Sequence, residues 1–320
     1  MGRRALIIGI EEYEYADNLS ACINDARTMK SVLERHSNNQ EKEKNFDVEL
    51  LTTDLGKITK NFLRDKIEEL FKHDRDISLL YFSGHGFISN TDGYLVTSEC
   101  ARGDDGISMN EIITMANSSP ASNRLIILDC CHAGKLGKTN LNNEITAISE
   151  GVTILGSSTV KQYSKATEES SIFTELLVHA LDGGAANILG EVSAGNIYGY
   201  IDKAMGESSQ RPIFITNVRR YFCIRKTFTQ IKKNELREIV KLFHEGPDME
   251  FKLDPSFELK SKKTDLENVL KFRILQMYNR VNLVVPVDAP HMYHAAMESK
   301  SCKLTPQGKS YWVMVSRDII

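Results

Sequence analysis

Six short apolar runs alternate with amphipathic segments over the first two thirds of the chain. The runs cover residues 5–10, 48–53, 77–82, 125–128, 152–157 and 212–216. Such runs, bounded by turn residues, are typical of strands that are buried on both faces of a sheet. The segments at residues 24–35, 58–71, 108–116, 172–181 and 194–205 repeat apolar residues at helical spacing. Strands that alternate with helices predict an α/β fold with a six-stranded, mostly parallel sheet covered by helices.

The pattern changes after residue 225, and we therefore predict two domains, residues 1–225 and 226–320. In the second, residues 232–243, 264–278 and 291–300 read as helices, and residues 283–287 form a short apolar run. Residues 304–315 suggest a turn that leads into a strand, as at the end of a winged-helix unit. The prediction is a small, mainly helical module that is either a docking or a regulatory unit.

Composition narrows the class of protein without naming a function. Hydrophobic residues make up 41% and charged residues 26%, as in soluble globular proteins, and no apolar run is long enough for a membrane span. The six cysteines form no CxxC pair, so we expect reduced thiols in a cytoplasm. The net charge is −3, with a small basic excess in the C-terminal module but no dense basic helix, so a nucleic acid partner is not expected.

Two of the predicted strands end in residues that suit nucleophilic catalysis. The run at 77–82 leads into Ser-Gly-His-Gly at residues 83–86, and the run at 125–128 leads into Asp-Cys-Cys-His-Ala-Gly at residues 129–134. In open α/β sheets, functional groups gather beyond the carboxyl ends of the strands. A thiol becomes a strong nucleophile when an imidazole stabilises its thiolate. These residues predict a cysteine nucleophile with His85 as the base, and leave the choice between Cys130 and Cys131 open.

The two motifs resemble those of caspase-like cysteine peptidases, in particular the metacaspases and their prokaryotic members. Ala-Cys-Ile-Asn-Asp-Ala at residues 21–26 and Asp-Gly-Tyr-Leu-Val at residues 92–96 extend the resemblance, which covers about residues 3–225. It implies the caspase–haemoglobinase fold and an intracellular endopeptidase. The family pattern Asp-x-Cys-His-x-Gly selects Cys131 as the nucleophile and His85 as the base. The N–H groups of Gly86 and Cys131 would then stabilise the oxyanion, and Cys130 would be a packing residue.

The resemblance also implies a substrate preference. Metacaspases cleave after Arg or Lys by means of acidic residues, which match Asp25 and Asp129 here, with Ser83 and Cys22 lining the same pocket. Two carboxylates can bind a guanidinium through paired, charge-assisted hydrogen bonds. The alternatives are that Asp25 caps a helix, that Asp129 stabilises a turn, and that the peptidase prefers aspartate.

The role of the C-terminal module stays open between docking or dimer assembly, ligand sensing and, least favoured, DNA binding. Prokaryotic caspase-like enzymes resemble effectors of antiviral defence or cell death that a nucleotide signal or a partner protein activates. Six aromatic and cationic side chains of this module suit a nucleotide base and its phosphates: Tyr278, Arg280, Tyr293, Lys303, Lys309 and Trp312.

No metal or cofactor is expected. Some metacaspases need calcium, for which Glu99, Asp104 and Asp105 are available, although they form no recognisable calcium loop. His291 and His294 lie three residues apart and lack a third ligand. The rival interpretation of the whole chain is a catalytically silent scaffold with the same fold. Whether maturation requires cleavage at residues 135–143 stays open.

Overall fold

The computed structural model describes residues 2–37, 43–89, 92–130, 148–157, 171–206 and 211–320. The chain divides into two compact units, Met1–Phe228 and Thr229–Ile320. Among the helices in these ranges, none has the length and apolar character that a membrane span requires.

The first unit alternates strands and helices as the sequence predicts. In chain order its elements are β1 (Arg3–Gly9), α1 (Cys22–Leu33), β2 (Asp47–Thr52), α2 (Lys60–Phe71), β3 (Ile77–Ser83), β4 (Gly86–Ile88), β5 (Gly93–Leu95), β6 (Ile107–Ser108), α3 (Met109–Ser118), β7 (Asn123–Asp129), β8 (Val152–Gly156), α4 (Ile172–His179), β9 (Glu191–Val192), α5 (Ala194–Met205), β10 (Ile213–Asn217) and β11 (Arg225–Lys226).

Six of these strands form the central sheet, in the order β10-β8-β7-β3-β1-β2. All neighbours are parallel except β10, which runs antiparallel to β8. The predicted six-stranded, mostly parallel sheet is confirmed. Its register places Gly9, Ser83 and Asp129 side by side at the carboxyl edge. Residues that follow β1, β3 and β7 therefore leave the sheet close together.

Alternate side chains of each strand point to opposite faces of the sheet, and both faces are buried because helices cover each of them. Leu80 and Phe82 of β3 belong to the core under α2 and α3. Leu79 and Tyr81 belong to the core under α1, α4 and α5. This two-sided burial explains why residues 79–82 of β3 form a continuous apolar run rather than an alternating pattern.

The second unit contains α6 (Lys233–Leu242), β12 (Glu250–Lys252), α7 (Leu266–Arg280), β13 (Val284–Val287), α8 (Met292–Met297), β14 (Ser301–Leu304) and α9 (Pro306–Ser316). Its strands form an antiparallel sheet in the order β12-β14-β13. The predicted strand at the end of a winged-helix unit is wrong, since residues 311–315 lie in α9. Thr305 caps this helix by accepting the Gly308 N–H at 3.0 Å, and Pro306 fits its first turn.

Candidate active site

His85 follows the end of β3 by two residues and is partly exposed. Its Nε2 lies 2.8 Å from the carbonyl oxygen of Asp17, in the loop between β1 and α1. A carbonyl oxygen only accepts hydrogen bonds, so Nε2 must carry the proton. In the neutral ring the lone pair then lies on Nδ1. The geometry therefore leaves Nδ1 as the atom that can take a proton from a neighbouring group.

The predicted nucleophile, Cys131, lies outside the described residues, as does the loop at 135–143. The chain that leads to it is described. Asp129 ends β7 beside Ser83, and the Gly84 N–H continues the strand pairing by donating to the Asp129 carbonyl at 3.3 Å. Cys130 is only 5% exposed and packs in the core with α2 and α3. Cys130, the residue before Cys131 in the sequence, therefore lies just beyond the same end of the sheet that carries His85.

Gly86, the other predicted oxyanion donor, is the first residue of β4. It pairs with Leu95 of β5, and the next residue, Val96, donates its N–H to the His85 carbonyl at 3.0 Å. The His85 carbonyl and Gly86 are thus held by the pairing with β5, while Gly84 on the other side is held by β7. The donor role of Gly86 stays a prediction.

Asp25 and Asp129 meet around Ser171, the residue that caps α4. The Ser171 N–H donates to both carboxylate oxygens of Asp25, at 3.2 and 3.4 Å, while its hydroxyl donates to Oδ2 of Asp129. The Thr174 hydroxyl donates to the same Oδ2 at 2.6 Å. The Ser83 hydroxyl reaches Oδ2 of Asp25 at 3.4 Å. The structure therefore joins Asp25, Asp129 and Ser83, three of the predicted pocket residues, in one hydrogen-bonded cluster.

The fourth predicted residue, Cys22, begins α1 and is buried next to this cluster. The pKa of the Cys22 thiol is raised to about 12, mainly by burial. The negative charges of Asp129 and Asp25 contribute to this rise, and a hydrogen bond with Ser83 opposes it. A thiol with such a pKa is neutral at pH 7 and a poor nucleophile. Cys22 can line a pocket but is not a competitor for the nucleophile.

The two carboxylates are stabilised differently. Asp25 is 1% exposed, and its carboxylate accepts the Ser171 N–H. Glu11, and not Asp25, accepts the Ile23 N–H in the first turn of α1, at 2.9 Å. Burial raises the pKa of Asp129 above its usual range, and the hydroxyl groups of Ser171 and Thr174 counteract that shift. A cation placed beside Asp129 would therefore stabilise a charge that the fold leaves incompletely compensated.

Nothing in the sequence indicated that four further residues belong to this region: Ser171, Thr174, Asp17 and Tyr13. The Ser-x-x-Thr spacing of the first two was readable as a helix start, because a serine cap bonds the amide three residues on. That bond is present, from Thr174 N–H to Ser171 Oγ at 3.2 Å. Nothing local indicates that the same residues also contact the two carboxylates.

The structure does not assemble the six candidate ligand residues of the second unit. Tyr278 is completely buried, and its hydroxyl donates to the Glu235 carbonyl at 2.6 Å, so its ring has no open face for a base. The indole N–H of Trp312 donates to the Phe243 carbonyl at 3.0 Å. Lys309 forms an ion pair with Asp248, while Arg280, Tyr293 and Lys303 are exposed. No contact among the described residues joins all six in one site.

The acidic residues considered for calcium have protein partners. Glu99 accepts the Lys60 N–H at the start of α2 at 2.7 Å. Asp104 accepts a hydrogen bond from the Arg102 guanidinium, and Asp105 accepts the Arg102 backbone N–H. The rings of His291 and His294 are 6.2 Å apart. Within the described ranges, no group of three His, Cys, Asp or Glu residues could hold a metal ion.

Comparison with known proteins gives the class of this fold and site. A family model for the caspase domain matches residues 2–247, and the chain therefore belongs to this family of cysteine peptidases. Among solved structures, a protein from Geobacter sulfurreducens is 18% identical with a TM-score of 0.53, over 71% of this chain and 98% of the other. Caspase-1 from Spodoptera frugiperda is 13% identical with a TM-score of 0.53, over 70% and 90% respectively. No curated protein sequence matches significantly. At these identities the structural likeness shows the caspase fold alone.

Proposed function

We propose that this caspase-family protein is a cysteine endopeptidase that cleaves after Arg or Lys. Cys131 is the nucleophile, His85 is the general base, and Asp25 with Asp129 recognises the basic side chain before the scissile bond. The observation that carries the specificity is the pair of carboxylates bonded to one residue, Ser171, at the sheet edge beside His85.

The proposed reaction uses the tautomer described above. Nδ1 of His85 accepts the Cys131 thiol proton, and the thiolate attacks the scissile carbonyl carbon to form a C–S bond. The N–H groups of Gly86 and Cys131 stabilise the oxyanion. The imidazolium returns the proton to the leaving amine as the C–N bond breaks. Water then hydrolyses the thioester, which releases the new carboxyl terminus and the thiol.

The charge of the pocket explains the preference for a basic side chain. A guanidinium has five N–H donors in a planar arrangement, so it can bond two carboxylates at once. An aspartate in the same position would place a third carboxylate beside Asp25 and Asp129, and like charges in a buried site repel strongly. Arg should therefore be preferred over Lys, and Asp should be rejected.

The experiment compares fluorogenic peptides that end in Arg, Lys, Asp or Leu. We expect cleavage after Arg and Lys that is lost in Cys131→Ala and retained in Cys130→Ala, the matched control at the adjacent cysteine. Asp25→Asn and Asp129→Asn should each lower kcat/KM for the Arg peptide by about 10²-fold, as the loss of a hydrogen-bonded charge pair costs about 2–5 kcal/mol. Cleavage after Asp would refute the specificity and keep the chemistry. No cleavage of any peptide, with or without the candidate activators described below, would favour the silent scaffold.

The second part of the proposal concerns regulation by the second unit. Its setting is a cytoplasmic effector of prokaryotic antiviral defence or cell death, which rests on the resemblance of the motifs. The activator is a nucleotide-derived molecule or a partner protein that contacts the accessible residues Arg280, Tyr293, Lys303 and Lys309. Calorimetric titration with cyclic nucleotides and ADP-ribose derivatives, followed by the peptide assay, tests this. Binding that raises cleavage and is lost in Lys303→Ala supports it, and no binding by any of them leaves a protein activator.

A further inference from the structure

Tyr13, in the loop between β1 and α1, contacts His85 in two different ways. The backbone N–H of His85 donates to the Tyr13 hydroxyl oxygen at 2.8 Å. The two rings also touch, with centroids 4.6 Å apart and planes inclined by 49°. Tyr13 is only 9% exposed, so its ring is fixed by packing. One buried side chain therefore contacts both the backbone and the imidazole of His85.

The Tyr13 hydroxyl is itself held in place by the ends of the central strands. It donates to the Ile10 carbonyl at 3.1 Å, and the Ile10 N–H donates to the Ser83 carbonyl at 2.9 Å. A hydroxyl has one proton, so with that proton on Ile10 the oxygen is free to accept from His85. Burial raises the pKa of Tyr13 well above 10, so the phenol stays protonated wherever an imidazole titrates.

The turn that leads to His85 passes closely by this hydroxyl. A Cβ atom at Gly84 would lie 2.8 Å from the Tyr13 hydroxyl oxygen and 2.9 Å from Cζ of Phe82. Four residues after Tyr13, the Asp17 carbonyl bonds Nε2 of His85. The amide and the far ring nitrogen of His85 are thus both bonded to the same loop.

We infer that Tyr13 is a positioning residue that orients the His85 imidazole so that Nε2–H stays on the Asp17 carbonyl and Nδ1 stays the basic atom. This inference rests on the proposed function only for the statement that His85 is the catalytic base. The contacts themselves are independent of it. Tyr13 touches neither the substrate nor the nucleophile in this scheme and acts through His85 alone.

The test is Tyr13→Phe, which keeps the ring and removes the hydroxyl. We expect kcat for the Arg peptide to fall about tenfold with KM within about twofold, because a misplaced base loses part of the ~10²–10⁴-fold that general base catalysis supplies. In ¹⁵N NMR spectra of the neutral imidazole, the wild type should show the Nε2–H form of His85. The variant should show a mixture of both tautomers and faster exchange of the His85 amide proton.

A second variant and a control keep the test decisive if Tyr13→Phe folds poorly. Oδ1 of the exposed Asn18 accepts the Tyr13 N–H at 3.0 Å, so Asn18→Ala should loosen Tyr13 and lower kcat in the same direction by a smaller factor. Tyr198→Phe removes a hydroxyl from a ring that stacks on Phe214 at 5.1 Å, and it should leave kcat and the His85 spectrum unchanged.

The two proposals can fail separately. If the wild type cleaves no peptide, the proposed function fails, and the NMR spectra still decide the role of Tyr13. If Tyr13→Phe keeps the Nε2–H form and the wild-type kcat, or if it only lowers the unfolding temperature, the positioning role is refuted. A changed tautomer with a lower kcat and an unchanged KM confirms it.

Discussion

Replacing Gly9 with alanine should separate α1 from the sheet and damage the candidate pocket. A Cβ atom at Gly9 would lie 2.4 Å from the carbonyl oxygen of Cys22 and 2.9 Å from Cβ of Ala26. Ordinary van der Waals contact begins at 3.4 Å, so α1 must move away by about 1 Å. Both clashing atoms belong to the helix that carries Asp25. Overpacking of this kind costs about 1–3 kcal/mol of the free energy of unfolding.

The same displacement should reduce activity by more than the loss of stability explains. A shift of about 1 Å in a positioning group can cost about 10²-fold in rate, and we expect a loss of that size in kcat/KM for the Arg peptide. The control is Gly199→Ala, in the middle of α5 on an exposed face, where the added Cβ meets nothing within 4 Å. That change should stabilise the protein by about 1 kcal/mol because alanine favours a helix, with activity unchanged.

The assay is urea denaturation followed by far-ultraviolet circular dichroism, together with peptide kinetics at a temperature where each variant is folded. The single tryptophan, Trp312, lies in the second unit, so its fluorescence follows that unit rather than the one that carries Gly9. A change below about 0.5 kcal/mol for Gly9→Ala would refute the argument from close packing. Lower stability with wild-type kinetics would show that α1 can move without disturbing the pocket.

Three further predictions follow from the buried polar groups. Since burial raises the pKa of Asp129, the folded state binds more protons than the unfolded state, and stability falls as pH rises above about 3.8. Asp129→Asn should therefore unfold at a higher urea concentration than the wild type at pH 7, and this difference should vanish near pH 3. A larger difference at pH 3 would contradict the prediction. Burial lowers the pKa of His36 to about 4, and its Nδ1 accepts the Lys226 N–H at 3.0 Å. The free energy of unfolding of the first unit should fall by up to about 3 kcal/mol between pH 6.5 and 4, because only the unfolded state takes up the proton. In acid titration, His36→Gln should lack this fall. Thr174→Val should lower the free energy of unfolding by about 1–3 kcal/mol, because the buried Tyr81 hydroxyl, 2.5 Å from the Thr174 hydroxyl, would lose its partner. Thr174→Ser is the control, and its thermal unfolding should stay near that of the wild type.

Most of the central sheet could be predicted because its strands carry a strong signal. The strand β3 is buried along its whole length, and the burial of its apolar residues stabilises it there. The small sheet formed by β4, β5 and β6 was not predicted, since strands of two or three residues are too short to show a period. In the second unit, the apolar run at 311–315 suggested a strand, but the helix start signal at Thr305 and Pro306 decides the structure.

Only part of the candidate site could be predicted from the sequence, for a related reason. Asp25, Asp129 and His85 stand out because they follow strand ends or a matching motif. Ser171 contacts Asp25 across a separation of 146 residues, and no local pattern can reveal such a pairing. Nor does the sequence show Tyr13 beside His85, 72 residues away. Side-chain partners set by topology become visible only once the strand order is known.

The long separation between Asp25 and Ser171 also bears on how the protein is made. The ribosome synthesises β1, α1, β3 and β7 before Ser171 and α4. Until then Asp25 lacks the Ser171 amide whose hydrogen bond it accepts in the folded state, and Asp129 lacks the hydroxyl donors of Ser171 and Thr174. The nascent chain can therefore carry His85 and Cys131, the proposed base and nucleophile, before the cluster around Asp25 and Asp129 is complete. Synthesis order alone therefore leaves the hydrogen-bonded cluster of Asp25 and Asp129 incomplete until α4 has been synthesised and has docked.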